Sequence, residues 1–282
     1  MSRSIAFTKG HGTENDFVVL DDPDGALGLD AATVAALADR RAGIGGDGVI
    51  RAVRSKDAGI DAPADAPEWF MDYRNADGSI AEMCGNGVRV LAAHLRRAGH
   101  VDSDRFEILT RAGVRTVDIL EDAASDGAPW SVRVGMGASR STPGARTVEI
   151  AGHRLEATDV DMGNPHAVAF LPDDVVLEDL DLTRRPALDP EPADGANIEL
   201  VTLRGDHHVA MRVHERGVGE TRSCGTGVAA VAVASALRAG DESCTPWTVD
   251  VPGGRLQVGW TDDGEVTLTG PAQLVADGTT LV

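Results

Sequence analysis

The sequence predicts an α/β (α+β) protein built from two homologous halves, and three observations lead to this prediction. Glycine occupies 33 of the 282 positions, and most apolar runs between the glycines are short and rich in β-branched residues, as in strands joined by turns. Helical periodicity is clear in only three places. The motif Cys-Gly-x-Gly-Val occurs twice, each time at the start of a long apolar helix, which indicates an internal repeat.

The individual elements follow from these patterns. We predict strands at 16–20, 49–53, 69–74, 106–109, 114–120, 131–134, 167–171, 198–203, 209–214, 248–251, 256–260 and 266–269. Three helices are predicted at 31–41, 87–98 and 227–239, each with a glycine close behind its end. Stretches rich in Asp, Ala, Pro or Gly predict loops at 55–67, 121–129 and 186–196.

The repeat is more extensive than the two cysteine motifs. Nine residues before Cys84 and Cys224 lie the polar residues Asn75 and Glu215. Equivalent places further upstream are occupied by Asn15 and Asn164. We therefore expect two homologous domains, residues 1–127 and 128–271, that face each other about a pseudo-twofold axis.

Composition excludes several classes of protein. The formal net charge is −19, which argues against a nucleic-acid backbone or an anionic membrane as partner. Apolar runs stay well below the roughly 18 residues of a membrane-spanning helix, and the N-terminus lacks the apolar stretch of a signal peptide. Three cysteines without a Cys-x-x-Cys pair fit a reducing compartment. These features predict a cytoplasmic protein that acts on a small molecule.

The two cysteine motifs predict a specific chemistry. A helix N-terminus presents unpaired N–H groups and a partial positive charge, which together bind anions and are expected to lower the pKa of a cysteine thiol placed there. Two sulfurs on opposite faces of a carbon that bears a carboxylate could remove and deliver a proton, which inverts the stereocentre. The backbone N–H groups of Gly85, Asn86, Gly225 and Thr226 would stabilise the carbanion. No pyridoxal-phosphate lysine motif is evident, so no cofactor is expected.

Four alternatives remain open on the residues alone. Glycine-rich helix starts also bind phosphate, although no lysine follows either motif. A hydrolase could pair one cysteine with His166 or His214, but this leaves the second cysteine unexplained. The histidines show no metal-ligand spacing with the cysteines, and His94 is expected to face solvent. A redox sensor based on the two thiols is the fourth alternative.

Several motifs, in order over essentially the whole chain, resemble those of diaminopimelate epimerases, which are enzymes of lysine and peptidoglycan precursor synthesis. The segments that carry the resemblance are Gly12-Thr-Glu-Asn-Asp-Phe17, Arg40-Arg-Ala-Gly-Ile-Gly-Gly-Asp47, Asn75-Ala-Asp-Gly-Ser-Ile-Ala-Glu-Met-Cys-Gly-Asn-Gly87, Met162-Gly-Asn-Pro-His166, Gly195-Ala-Asn197 and His214-Glu-Arg-Gly-Val-Gly-Glu-Thr-Arg-Ser-Cys-Gly-Thr-Gly227. The resemblance implies epimerisation of LL-2,6-diaminopimelate to meso-diaminopimelate. Proline racemases and hydroxyproline epimerases, which share the two-thiol chemistry, are the alternative.

The resemblance also implies roles for individual residues. Cys84 and Cys224 would be the catalytic acid and base, with Cys84 usually described as the donor in one direction. Substrate contacts are implied for Asn15, Asn75, Gly85, Asn86, Asn164, Asn197, Glu215, Arg216, Gly225 and Thr226. Among them, Arg216 would bind the distal carboxylate and Glu215 the distal ammonium group. His166 and Glu215 match positions that tune the thiols.

The family fold has two similar domains, each a curved and mostly antiparallel sheet around a central helix. The active site lies between them, and residues 272–282 would return to the first domain. The resemblance further implies no cofactor, no metal and a possible homodimer. One departure is Gly48, because many family members place a glutamine contact there. Cys244 has no counterpart in the repeat.

Overall fold

The computed structural model of the protein describes residues 4–123, 128–241, 243 and 245–281. The chain forms two compact units, one of Met1–Val134 with Gly270–Val282 and one of Gly135–Thr269. No helix within the described residues is long and apolar enough to cross a membrane. Cys244 lies outside the described residues.

The first unit is a sheet with two helices. Its strands are β1 (Ser4–Gly12), β2 (Asn15–Asp21), β3 (Gly48–Arg54), β4 (Trp69–Asn75), β5 (Arg105–Thr110), β6 (Gly113–Glu121) and most of β7 (Trp130–Gly137). Its helices are α1 (Ala31–Ala38) and α2 (Gly85–Arg97), and a short 3₁₀ turn spans Ser55–Asp57.

The second unit has the same composition of many strands and few helices. Its strands are β8 (Arg140–Ile150), β9 (His153–Asp161), β10 (Pro165–Phe170), β11 (Ala187–Asp189), β12 (Asn197–Gly205), β13 (His208–Glu215), β14 (Gly219–Thr221), β15 (Trp247–Val251) and β16 (Gly254–Trp260). It contains helix α3 (Gly225–Ala239) and a 3₁₀ turn at Leu177–Asp179. Strand β17 (Val266–Leu281) begins in this unit and ends in the first, where it pairs antiparallel with β1.

Strand pairing follows the same order in both units. In the first, the pairs β1–β2, β3–β4 and β5–β6 are antiparallel, while β2–β3 and β4–β5 are parallel. In the second, β9–β10, β12–β13 and β15–β16 are antiparallel, while β10–β12 and β13–β15 are parallel. Helices α2 and α3 follow the fourth strand of these two series, β4 and β13. The repeat seen in the sequence is therefore a repeat of topology.

Each unit is organised around its long helix. All residues of α2 from Gly85 to Leu95 are buried, and the helix packs on strands β1 to β4 and β6. Helix α3 is buried over most of its length among β9, β10, β12, β13, β15 and β16. Because the sheets surround these helices, buried residues occupy nearly every face of both, and those of α3 are mostly apolar. The predicted α+β fold with central helices is confirmed.

Some predicted boundaries were wrong. Helix α1 ends at Ala38 and not at residue 41, because the Asp39 carboxylate accepts hydrogen bonds from the backbone of Arg41 and Ala42, both at 2.7 Å, and so competes with helix continuation. Both long helices begin two residues earlier than predicted, directly after Cys84 and Cys224. Strands β1, β8, β9, β11 and β14 were not predicted.

The structure explains the departure at Gly48. This residue starts β3, where it pairs with Phe17 of β2 and Asn75 of β4. A β-carbon there would lie 2.5 Å from the carbonyl oxygen of Arg74 and 2.6 Å from Cε2 of Tyr73. The Tyr73 ring, which packs edge-on against Phe17 at 5.8 Å between centroids, occupies the space that a longer side chain would need.

We expect Gly48→Ala to lower the free energy of unfolding by about 1–3 kcal/mol, because overpacking forces backbone or ring displacement. Gly28→Ala is the matched control, since nothing lies within 4 Å of a β-carbon at Gly28, and its effect should stay within about 0.5 kcal/mol. Denaturant unfolding of both variants measures the difference. Equal stability of the two variants would contradict the packing at Gly48.

Candidate active site

Cys84 occupies the N-cap of helix α2. Its backbone is extended (φ −141°, ψ 117°), and its carbonyl accepts the first helical hydrogen bond from the Val88 N–H at 2.9 Å. The N–H groups of the first helical turn have no carbonyl acceptor within the helix. Gly85 and Asn86 belong to this turn, so the predicted carboxylate-binding N–H groups and the predicted catalytic sulfur lie at one helix end.

Asn15 connects this helix start to the β1–β2 turn. The Cys84 thiol donates to Asn15 Oδ1 at 3.4 Å, and Asn86 Nδ2 donates to the same oxygen at 3.2 Å. Asn15 Nδ2 donates to Asp47 Oδ2 at 2.7 Å, which fixes the orientation of the amide. The turn before Asn15 contains Thr13 and Glu14 at φ 50° and 61°. Such backbone costs about 1 kcal/mol or more per residue and is often found at functional sites.

A charged cluster holds Asp47 in place. Arg40 Nη2 contacts Asp47 Oδ1 at 2.7 Å and Asp16 Oδ1 at 2.6 Å, and Lys9 Nζ contacts Asp16 Oδ2 at 2.5 Å. Although burial would raise it, the hydrogen bonds from Arg40 and Lys9 lower the pKa of Asp16 to about 2. Both carboxylates are thus positioned by cations, and Asp47 in turn orients Asn15.

Asn75 differs from the other predicted residues of the first unit. It is exposed, its Nδ2 donates to Ser79 Oγ at 3.0 Å, and its N–H donates to the Ser79 carbonyl at 2.9 Å. These bonds shape the turn that leads toward α2. Among the described residues, the Asn75 side chain forms no hydrogen bond with Asn15 or Cys84, so its contact with substrate stays a prediction.

Cys224 occupies the N-cap of α3 in the same way. Its backbone angles are φ −121° and ψ 113°, and its carbonyl accepts from the Val228 N–H at 2.9 Å. The thiol lies 3.5 Å from Thr226 Oγ1, which also accepts from Asn164 Nδ2 at 3.4 Å. The predicted residues Asn164, Gly225 and Thr226 therefore meet at this helix start.

A buried polar chain extends behind Asn164. His166 Nε2 lies 3.0 Å from Asn164 Oδ1, and His166 Nδ1 lies 2.7 Å from Glu199 Oε1. The side chains of His166 and Glu199 are both 0% exposed. Asn197 Nδ2 lies 3.4 Å from His166 Nδ1, while Asn197 Oδ1 accepts from the Arg216 N–H at 2.9 Å. Buried hydrogen bonds of this kind fix the ring and the amides in one orientation.

The environment of Cys224 contradicts one expectation. Burial raises the pKa of the Cys224 thiol well above its ordinary value, and the negative charges of Glu215 and Glu199 raise it further. Hydrogen bonds from Thr226 and from the Gly227 N–H act in the opposite direction but are smaller. The prediction of a lowered thiol pKa at both helix starts was therefore wrong at Cys224, because burial and like charge outweigh the helix field.

Glu215 lies beside this thiol. Burial raises the pKa of the Glu215 carboxyl, while hydrogen bonds from Thr221 and Cys224 lower it. Arg216 is exposed and donates from Nη1 to the Asp194 carbonyl at 3.0 Å. Their binding of the distal charged groups of a substrate stays a prediction.

Three residues near the two helix starts were not predicted from the sequence: Asp47, Arg89 and Glu199. The last two carried a signal, because each is a charged residue within an apolar run, Val88-Arg-Val-Leu91 and Ile198-Glu-Leu-Val201. A charged side chain at a buried position is a candidate functional group. His94 of α2 was expected to face solvent and is instead buried, with only 5% of its surface exposed.

The described residues do not favour the metal site or the cysteine–histidine hydrolase that the sequence left open. Among the described residues, no group of three His, Cys, Asp or Glu side chains could hold a metal ion. His166 is hydrogen-bonded to Asn164 and Glu199, so both of its ring nitrogens face residues other than a cysteine. Each of the two thiols lies at a helix start, where neighbouring polar groups form hydrogen bonds with it or change its pKa.

The fold is similar to that of solved structures of a phenazine biosynthesis protein, an epimerase and an isomerase. The structure of the Bacillus anthracis phenazine biosynthesis protein of the PhzF family aligns with a TM-score of 0.73 at 16% identity, covering 99% of this chain and 100% of that chain. A hydroxyproline epimerase from Agrobacterium vitis aligns with a TM-score of 0.65 at 14% identity, covering 99% and 91%. At these identities the likeness establishes the fold alone.

The family follows from sequence. The model of the diaminopimelate epimerase family matches residues 7–142 and 158–275. The diaminopimelate epimerase of Streptomyces coelicolor is 53% identical over 290 aligned positions, covering 99% of this chain and 96% of that protein. The chain belongs to the diaminopimelate epimerase family.

We expect Glu215→Gln to lower the pKa of the Cys224 thiol, because the substitution removes a negative charge that disfavours the thiolate. The measurement is the rate of alkylation against pH in a Cys84→Ser, Cys244→Ser background. Glu220→Gln is the matched control, since that exposed carboxylate pairs with Arg212. An unchanged or raised midpoint in Glu215→Gln would contradict the assigned charge effect.

Proposed function

We propose that this protein converts LL-2,6-diaminopimelate into meso-diaminopimelate without a cofactor, with Cys84 and Cys224 as the acid and base. Membership in the family, at 53% identity to a diaminopimelate epimerase over nearly the whole chain, is the observation that carries the proposal. The two cysteine N-caps of nearly equal backbone geometry give it a chemical basis.

The proposed reaction has two proton transfers. One sulfur, as thiolate, takes the α-proton from one face of the substrate, and the electron pair left on carbon delocalises into the adjacent carboxylate. The other sulfur, as thiol, gives a proton to the opposite face, so the centre inverts and the charges of the two sulfurs exchange. Reversal of the reaction reverses the two roles.

The helix starts would stabilise the intermediate. N–H groups of Gly85, Asn86, Gly225 and Thr226 would donate to the carboxylate oxygens as negative charge develops on them. Removal of one such donor in other enzymes costs about 10²–10³ in rate. Because these donors are fixed by the helices, little reorganisation accompanies the reaction.

Substrate recognition is proposed to use the amides and the two charged groups at the end of β13. Asn15, Asn75, Asn164 and Asn197 would contact the substrate, Arg216 its distal carboxylate and Glu215 its distal ammonium. A diacid with two amino groups offers charges that one Arg and one Glu can match. Proline offers no distal charged pair, so the same residues would discriminate against it.

Two further features belong to the proposal. The cytoplasm is the expected location, supported by three cysteines without a Cys-x-x-Cys pair, which fit a reducing compartment. A homodimer is the expected assembly and rests on the family resemblance.

We expect the purified protein to form meso-diaminopimelate from LL-diaminopimelate and to leave L-proline and trans-4-hydroxy-L-proline unchanged. The reason is the distal charge pair that only the first substrate can engage. Chiral chromatography of the three reactions measures the outcome. Turnover of either proline substrate without turnover of diaminopimelate would favour the runner-up function, suggested by the likeness to a hydroxyproline epimerase fold.

Cys84→Ser and Cys224→Ser should each reduce kcat for diaminopimelate by about 10³ or more, because a serine hydroxyl is a far weaker acid than a thiol. Cys244→Ser is the matched control and should keep wild-type kcat, since Cys244 has no counterpart in the repeat. Near-wild-type kcat in either of the first two variants would exclude the two-thiol mechanism.

A further inference from the structure

Arg89 is a fully buried cation in the second turn of helix α2. Its side chain, with 0% exposure, is the largest completely buried one among the described residues. Arginine is almost never buried to this extent unless a negative group pairs with it. Its position, five residues after Cys84, places it close to the helix start.

The contacts of Arg89 are neutral oxygens. Nε donates to the Pro271 carbonyl at 3.2 Å, Nη2 to Thr13 Oγ1 at 3.4 Å and Nη1 to the Gly85 carbonyl at 3.5 Å. Gly12 leaves room for the guanidinium, because a β-carbon there would lie 2.9 Å from Nη2. Within the described ranges no carboxylate forms an ion pair with Arg89. Its positive charge is therefore left without a carboxylate counterion.

Cys84 is the nearby group that can supply the negative charge. Burial lowers the pKa of Arg89 to about 10, and the charge of the Cys84 thiolate raises it. Arg89 is thus still protonated at neutral pH. Since attraction between two charges acts equally on both, a cation that is stabilised by a thiolate stabilises that thiolate in return.

Four charged groups behind Asn15 compensate one another. Asp47 reaches Cys84 only through Asn15, and it pairs with Arg40. Asp16 pairs with Arg40 and Lys9. This cluster holds two carboxylates and two cations, so its formal charge is zero, and the buried Arg89 lies outside it.

One contact acts in the opposite direction. The Cys84 thiol donates to Asn15 Oδ1 at 3.4 Å, which favours the protonated sulfur. A thiol is a weak hydrogen-bond donor, whereas a buried cation acts on a thiolate through a medium of low dielectric constant. The charge effect is therefore the larger of the two.

The second unit has the reverse arrangement at the equivalent places. The residue five positions after Cys224 is Ala229, so no cation stands there. Glu199 and Glu215 lie near Cys224 instead, and Cys224 itself is 7% exposed. One helix start is thus supported by a cation and the other faces two carboxylates.

We propose that Arg89 is a positioning residue that holds Cys84 as the thiolate in the resting enzyme, while Cys224 carries the proton. This inference rests on the proposed function only in that it assigns the first base of that reaction. The resting enzyme then takes a proton with Cys84 and gives one with Cys224, and it must return to this state after each turnover.

The test titrates Cys84 alone, in a Cys224→Ser, Cys244→Ser background, by thiolate absorbance and by the rate of iodoacetamide alkylation against pH. Arg89→Met should raise the midpoint by about one unit or more, which moves the profile of alkylation rate against pH upward by the same amount. Arg89→Lys, which keeps the charge, should restore most of the difference. An Arg89→Met midpoint equal to that of the parent would overturn the proposal.

Arg97→Gln is the matched control, because this arginine lies on the same helix and pairs with Asp277. Its midpoint should equal that of the parent, and a shift as large as that of Arg89→Met would overturn a specific role for Arg89. Should Arg89→Met fail to fold, proteins that keep Arg89 still test the proposal, by comparison of the parent, which is the Cys224→Ser, Cys244→Ser protein, with the Cys84→Ser, Cys244→Ser protein. The parent with only Cys84 should titrate at least about one unit below the protein with only Cys224, and equal or reversed midpoints would overturn the proposal.

These titrations contain no diaminopimelate, so they are independent of the proposed function. Arg89-dependent titration in a protein that fails to epimerise diaminopimelate would overturn the function and retain the Arg89 assignment. Epimerisation of diaminopimelate by a protein whose Cys84 midpoint does not depend on Arg89 would retain the function and overturn the Arg89 assignment. In an active enzyme, Arg89→Met should also move the acidic limb of the kcat/KM profile upward, a shift that loss of packing alone would not produce.

Discussion

The structure depends on two helices that each begin at a cysteine. At a helix N-terminus the first N–H groups have no helical acceptor, so they are available for a ligand, and the side chain of the N-cap residue lies among them. In this chain Gly85 and Gly225 follow directly after the cysteines, and both motifs are Cys-Gly-x-Gly. Burial of most of the length of both helices fixes these ends within their own sheets. The two sulfurs are thus placed by the hydrophobic cores, and not by flexible loops.

Equal topology does not give equal chemistry. Both units have the same alternation of antiparallel and parallel pairs and the same cysteine N-cap. Their buried charges differ, because Arg89 lies close to one helix start, whereas Glu199 and Glu215 lie close to the other. A two-base epimerase requires one charged and one neutral sulfur at any moment. In the proposed mechanism, the opposite charges beside the two helix starts would supply this asymmetry within a repeated fold.

Much of this could be predicted from the sequence, and the failures have physical reasons. Twelve strands and three helices were placed because apolar periodicity and glycine positions mark them. Strands β8 and β9 were missed because they are polar and partly exposed, and their pairing with each other decides their structure. Local pattern also favoured helix up to residue 41, whereas the side chain of Asp39 ends it earlier.

The site was predicted unevenly for a similar reason. Motifs located the cysteines and the amides, because these residues follow one another within short segments. The support of Asn15 by Asp47 and of His166 by Glu199 joins residues 32 and 33 positions apart, which only the strand pairing reveals. The raised pKa of Cys224 depends on burial and on two carboxylates from different strands. No local sequence pattern contains that information.

The central claim is that two different sulfurs act on opposite faces of one carbon, and the fate of the α-hydrogen tests it most directly. LL-diaminopimelate would be incubated with the enzyme in deuterium oxide, and substrate and product would be analysed by mass spectrometry at low conversion. The account predicts one solvent deuteron at the inverted centre of the product and almost none in the remaining substrate. Product that retains the hydrogen of the substrate would contradict the account, because a single base would then have carried that hydrogen from one face to the other.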